Sequence, residues 1–255
     1  MAIGPVQEVP APVGGEARRY SILDSAVGPL ELPGDRPSDI AYKQMSCGDV
    51  SVYSFECEST PDTPGFPGLV TGTAFDVEVS LECRAVGLSA AEVRTQIERG
   101  FAAREHIGVE TFLVDAIMND DDLVDLGNMP SVPAAVPELE HFIYGTSAYG
   151  LAAHILAPFA QASAFAWTAQ FAGQSKRDPA WKMPIDTRVT FVSGLPQNTL
   201  LVTGQIILWR QPSVWIPPEE AALLDRELNV WKGRGRRGYV AAYECATAKI
   251  TIGGE

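Results

Sequence analysis

The chain has 255 residues, a formal net charge of −13 and a hydrophobic share of 46%, enough to bury one large core or two modest ones and far from the make-up of a disordered chain. The acidic balance excludes a surface that collects nucleic acid broadly, so any such contact has to be local. No apolar run reaches the roughly 18 residues of a membrane span, and MAIGPVQEVPAPVGGEARRY lacks the charged start and apolar middle of a secretion signal, so the expectation is a protein made and used in the cytoplasm.

Residues 1 to 41 are rich in Pro, Gly and charge without sustained periodicity, which predicts an extended arm rather than a folded unit. Residues 42 to 72 read as two strands, KQMSCGDVSVYSFEC and GLVTGTAF, around the turn-rich ESTPDTPGFPG, where Pro61, Pro64, Gly65, Pro67 and Gly68 exclude regular structure. A two-stranded ribbon is marginal in water by itself. This one is therefore expected to lie on another surface.

From Thr73 to Cys83 the pattern has period two: Phe75, Val77, Val79, Leu81 and Cys83 fall on one face, Asp76, Glu78, Ser80 and Glu82 on the other. This predicts a half-buried antiparallel strand. At Ser89 the period changes. Ser89 and Glu92 make a Ser-x-x-Glu capping box, with Leu88 and Val93 placed as a hydrophobic staple. Val93, Ile97, Phe101, Ile107 or Gly108, Phe112 or Leu113 and Ile117 then recur at helical steps up to Met118. A helix over 90–118 is roughly 43 Å long, more than twice the mean of about 11 to 12 residues. Gly100 and Gly108 are its weak points.

NDDDLVDLGNMPSVPAAVP reads as a polar linker whose prolines mark a boundary. A helix over Glu138 to Tyr149 follows, with Pro137 in its first turn, then a short strand over Leu151 to Leu156 and a Pro-initiated helix over Pro158 to Ala172. Strands are expected at Thr187 to Ser193 and at Leu200 to Trp209, the second a nearly continuous apolar run of the kind buried on both faces. EEAALLDRELNVW reads as a short helix. The closing GYVAAYECATAKITI reads as one strand and a natural partner for Thr73 to Cys83.

Four cysteines, Cys47, Cys57, Cys83 and Cys245, form no CxxC, and His106, His141 and His154 stand at no zinc-finger spacing. Buried reduced thiols and disulfides formed outside a reducing cell both stay open. Cys83 and Cys245, in strands assigned to one sheet, are the candidate disulfide pair. Asp120, Asp121 and Asp122 are either a hard-cation site or a solvated acidic linker. Lys232, Arg234, Arg236 and Arg237, interleaved with Gly233 and Gly235, form the densest basic run. Three readings are open for it: an exposed turn, a contact with acidic groups of another protein chain, or a local contact with DNA phosphate. No G-x-S-x-G, H-E-x-x-H, P-loop or dinucleotide fingerprint occurs, so no catalytic residue, cofactor or metal ligand is assigned.

FDVEVSLECRAVGLSAAEVRTQIERGFAAREHIGVETFL, HILAP at 154 to 158, LLVTGQIILWRQPSVWIPP at 200 to 218 and LDRELNVWKGRGRRGYVAAYECATAKITI together resemble the Hong Kong 97-type major capsid proteins of tailed bacteriophages. The resemblance is to short forms from phages and prophages of GC-rich bacteria, and encapsulin shells share the fold. It implies an α+β fold with an N-terminal arm (1–41), an extended loop (42–72), a peripheral domain (73–136 and 238–255) carrying a spine helix (90–118), and an axial domain (137–237). It further implies a non-enzymatic subunit that assembles through pentamers and hexamers into an icosahedral shell around double-stranded DNA, bound without sequence specificity. Portal and, where present, separate scaffolding or decoration proteins would be its partners, the host bacterial cytoplasm its place of assembly and the virion its location. An encapsulin-like cellular compartment is the alternative reading. An enzyme or binding domain without a sequence signature is the alternative from another class. Lys43 is the loop's one lysine and lies near its base, which argues against a Lys–Asn weld between subunits.

Overall fold

The structure, a computed structural model, describes residues 21–32, 40–43, 69–84, 89–168, 181–183, 185, 187–218, 224–244 and 246–253. Their chain order is α1 (Ile22–Ser25), β1 (Val27–Glu31), β2 (Ile40–Lys43), β3 (Leu69–Arg84), α2 (Ala90–Met118), β4 (Val124–Met129), α3 (Val132–Glu140), β5 (His154–Pro158), α4 (Ala162–Thr168), β6 (Trp181–Lys182), β7 (Arg188–Val192), β8 (Thr199–Thr203), β9 (Ile206–Arg210), β10 (Leu224–Asp225), β11 (Val230–Tyr243) and β12 (Ala248–Ile252). Two six-stranded sheets result. The first runs β1-β9-β11-β3-β2 with β10 beside β11, and the second runs β4-β12-β8-β5-β7-β6. The mixed α+β class is as expected.

The helix expected over 90–118 is α2, residue for residue. Ser89 Oγ accepts the Glu92 N–H, and the Glu92 carboxylate accepts from the Ser89 N–H at 2.8 Å, so the capping box is closed in both directions. That hydrogen bond, with a second from the Ser89 hydroxyl, holds the Glu92 carboxyl below its ordinary pKa. Val93, Ile97, Phe101, Val109, Leu113, Val114 and Ile117 are buried along one side. Ile107 is exposed, and Gly108 takes the inner position there. A Cβ on Gly108 would stand 2.8 Å from Val77 Cγ1. The glycine that looked like a weak point is therefore where α2 presses closest to β3.

β3 and β11 pair antiparallel from Arg84↔Val230 to Thr73↔Ala241. Val77 is buried and Asp76, Glu78, Ser80 and Glu82 are exposed, as the alternation requires. Phe75 stacks on Phe112 of α2 with centroids 3.8 Å apart and lies 5.5 Å from the Tyr239 ring. The second sheet is covered on both faces. Leu156, Val192 and Leu201 pack with the C-terminal half of α2, while Ile155, Ala157, Val189, Phe191, Leu200 and Val202 pack beneath α3 and α4. Burial on both faces is why β8 lies in a nearly continuous apolar run, and every residue of β5 and β8 is buried.

Several expectations are corrected. Residues 21–32 pack on the body of the chain rather than extending as an arm: Ile22 is fully buried, Leu32 is 5% exposed, and β1 pairs parallel with β9. The apolar run 200–209 is two strands in two sheets, divided at Gly204. There the backbone passes so near Glu244 that a Cβ would stand 2.5 Å from the Glu244 carbonyl oxygen. The closing segment divides in the same place. β11 pairs with β3 as expected, but β12 inserts between β4 and β8.

The supposed linker after α2 contains β4, which pairs parallel with β12. The following helix starts at Val132, six residues before its expected start, with Ser131 as N-cap and Pro133 in the first turn, where its missing N–H is harmless. The helix expected within EEAALLDRELNVW is absent from its described part: β10 turns through Arg226–Asn229 into β11, and Asn229 takes the positive φ of 50° that the turn needs. Strands from 73–136 and 238–255 and strands from 137–237 occur in both sheets.

Candidate functional site

The basic run lies within β11, not in a turn. Its glycines and basic residues alternate with the pleat. Trp231, Gly233, Gly235, Arg237 and Tyr239 face α2, while Lys232, Arg234 and Arg236 face outward. Gly235 has no room for a side chain, since a Cβ would stand 2.8 Å from Ile97 Cγ2 and 3.2 Å from Val214 Cγ1.

The three outward cations meet carboxylates of their own chain. Lys232 Nζ lies 3.0 Å from Asp225 Oδ2, Arg236 Nη2 lies 2.7 Å from Asp76 Oδ2, and Arg234 Nη1 lies 3.8 Å from Glu78 Oε1. The hydrogen bond from Lys232 holds the Asp225 carboxyl below its ordinary pKa and correspondingly raises that of Lys232. Pairs this exposed are screened by salt. They form a charge ladder, basic on β11 and acidic on β3 at Asp76 and Glu78 and on β10 at Asp225. Beside it Trp215, 57% exposed, is bridged to Arg236 by backbone hydrogen bonds of 2.7 and 2.9 Å. A groove of about 450 Å³ runs past Ser80, Glu82, Pro217, Asp225, Lys232 and Arg234.

Arg237 differs from the other three. Its guanidinium points inward, donates from Nη1 to Glu105 Oε2 at 2.7 Å and lies 5.4 Å from the centre of the Phe101 ring. The Tyr239 hydroxyl donates to the same Glu105 oxygen at 2.6 Å. Burial, reinforced by that carboxylate, pushes the Tyr239 pKa well above the ordinary tyrosine range. Glu105 thus ties the middle of α2 to β11, and Arg237 is taken up inside the subunit.

A second polar centre joins the sheets. The Gly204 N–H donates to the Glu244 carbonyl and the Glu244 N–H donates to the Gln205 carbonyl, both at 3.1 Å. The Tyr149 hydroxyl accepts the Gln205 N–H at 2.6 Å and donates to Glu244 Oε2 at 3.1 Å. Tyr149 and Glu244 are buried. Neither stood out in the sequence, because a Tyr in a loop and a Glu between two apolar stretches carry no spacing signal.

Cys47, Cys57 and Cys245 lie outside the described residues. The candidate pair Cys83–Cys245 therefore lies outside the described residues. Asp120 closes the turn after α2, accepting the Asp122 N–H at 3.0 Å and the Tyr243 hydroxyl at 2.7 Å. Among the described residues no cluster of three or more His, Cys, Asp or Glu is arranged to hold a metal ion. His106 is buried within α2.

No protein-family model matches the chain, and no curated protein matches it by sequence. Solved structures do match over nearly its whole length. A chain of Mycobacterium phage Bobi superposes with a TM-score of 0.57 at 11% identity, covering 98% of this chain and 96% of its own. One of Mycobacterium phage Cain gives 0.57 at 12% over the same shares. The capsid of an empty GTA particle gives 0.54 at 12% identity, covering 94% and 99%. The chain therefore has the fold of these phage and capsid chains, from end to end.

Proposed function

We propose that this chain is the major capsid protein of a tailed double-stranded DNA bacteriophage, a subunit that assembles with copies of itself through pentamers and hexamers into an icosahedral shell. One observation carries the reading: the whole chain, not a part of it, shares its fold with chains of phages and of a GTA capsid, matching 94–98% of its own length and 96–99% of theirs. The function is structural, without catalytic chemistry. In this reading residues 42–72 are an extended loop, of which β2 and the start of β3 are the paired base, and the loop lies across a neighbouring subunit. The axial part of the chain, within 137–237, gathers the pentamers and hexamers, and the peripheral part carries α2 as its spine.

The outward cations Lys232, Arg234 and Arg236, with Trp215 beside them, are the proposed contact with neighbouring subunits; their own carboxylates leave them little charge for DNA. The genome is enclosed without sequence-specific binding, which suits a chain of net charge −13. Portal, scaffolding and decoration proteins are its proposed partners, assembly in the bacterial host cytoplasm its proposed route, and the virion its location.

Light scattering coupled to size exclusion, with negative-stain microscopy, tests the proposal. Closed particles, or pentamers and hexamers, are expected from the purified chain, alone or co-expressed with its neighbouring genes. A monomer or dimer under every assembly condition would sink it. Deleting residues 44–68 should leave a soluble subunit that forms no closed particles.

A further inference from the structure

Four polar side chains form one row across an end of the second sheet. The register sets His154 of β5 between Arg188 of β7 and Thr203 of β8. The β8·β12 ladder, which pairs Val202 with Ala248, brings Thr247 beside Thr203. All four point away from α3, because the residues that alternate with them, Ile155, Val189, Val202 and Ala248, pack beneath it. His154 and Thr203 are fully buried and Thr247 is 1% exposed.

Within this row His154 Nδ1 and Nε2, Arg188 Nε, Thr203 Oγ1 and Thr247 Oγ1 have no hydrogen-bond partner among the described residues. The described residues contain only two other buried side-chain atoms of this kind, Trp231 Nε1 and Arg237 Nε. Five of the seven therefore gather in one place. Native interiors satisfy nearly all such atoms, through protein or ordered water, and a packing fault does not select one row across four strands.

We propose that the row is an internal hydration site, a short string of ordered waters bridging Arg188, His154, Thr203 and Thr247. The identity of the ligand follows from the donors and acceptors on offer. Arg188 Nε–H only donates, a neutral imidazole presents one donor and one acceptor, and a threonine hydroxyl does both. An anion would leave the imidazole acceptor unpaired, and a cation would meet the Arg188 charge. Water both donates and accepts, and buried waters typically make about three such bonds. The site is walled on one side by α1, where Arg188 Nη1 donates to the Ser25 carbonyl at 2.7 Å and the Thr190 hydroxyl donates to Ser25 Oγ at 2.8 Å. On the other side Gly204 follows directly on Thr203, and Glu244 lies three residues before Thr247. The waters thus lie where the N-terminal segment and both sheets meet.

Isosteric Thr203→Val and Thr247→Val substitutions test the site through the sign of their effect. If waters bridge the row, each change deletes a hydrogen bond and the melting temperature of the unassembled subunit falls by several degrees. An unchanged or raised melting temperature would show idle hydroxyls in a dry interior and overturn the proposal. A density map of the unaltered protein at about 2 Å or better decides independently, including where a variant does not fold. Discrete peaks about 2.6–3.2 Å from the His154 ring nitrogens are expected. A map without them overturns the site, and anomalous density from a bromide soak at that position overturns water in favour of an anion.

Discussion

Two glycines of one helix make opposite predictions. Replacing a helix-interior Gly by Ala stabilises by about 1 kcal/mol through backbone entropy alone. A Cβ on Gly100 would meet nothing within 4 Å, so Gly100→Ala should show that gain in full. On Gly108 it would stand 2.8 and 3.0 Å from the two γ-methyls of Val77, a buried β-branched residue with one favoured rotamer and no way to swing aside. Overpacking of this kind costs about 1–3 kcal/mol, which offsets the helical gain and leaves Gly108→Ala neutral to about 2 kcal/mol destabilising. The two variants should therefore differ by about 1–3 kcal/mol, at about 2–4 °C of melting temperature per kcal/mol for a chain of this size. Thermal melts of the purified protein, followed by far-ultraviolet circular dichroism, read the difference. Adding Val77→Ala to Gly108→Ala removes the clashing methyls, so the double mutant should be more stable than the sum of the single effects. If both glycine variants gained stability equally, close contact at Gly108 would not set the spacing of α2 on β3.

Arg237→Ala leaves Glu105 almost buried with its main cation removed, and should cost about 3–5 kcal/mol in urea unfolding; Arg236→Ala, which breaks an exposed pair, should cost about 0–1 kcal/mol. Equal losses would contradict the inward placement of Arg237. His154 is neutral in the fold, because burial and then the Arg188 charge lower its pKa to about 3, against about 6.5 in the unfolded chain. The unfolded state therefore binds the extra proton between these values, and stability should fall as pH drops from 6.5 toward 3, by up to about 4–5 kcal/mol at about 1.4 kcal/mol per pH unit. His154→Asn should flatten that part of the profile, and an unchanged slope would assign the acid loss to carboxylates. Tyr149→Phe removes the acceptor of the part-buried Gln205 N–H and strips one donor from the buried Glu244, which should lower stability by about 1–3 kcal/mol; a silent substitution would mean the hydroxyl bridge is not formed in solution.

The elements that were legible in the sequence are those that carry their own local instructions. α2 announces itself through Ser89, Glu92 and a long apolar stripe, and β3 through strict alternation against water. What stayed hidden depends on the second sheet being covered on both faces. Leu200 to Trp209 is apolar throughout whether it is one strand or two, and a single Gly204 does not say that the chain changes sheets there. For the run Lys232–Arg237 an exposed turn is one of three open readings, although its alternation is the period of a strand; Gly235 answers to Ile97 of α2, more than a hundred residues away in sequence. Trp215 and the Tyr149–Glu244 bridge depend on contacts between distant segments, and no local spacing encodes them.

The passages at Gly204–Gln205 and at Glu244 lie side by side and are stitched to each other, so two of the crossings between the sheets are paired, while α2, which links β3 to β4, packs against both sheets. Paired tethers resist torsion across the line between them and yield more readily to bending about it. In the proposed shell, bending of a subunit about the line through Gly204 and Glu244 would therefore be opposed chiefly by the packing of α2.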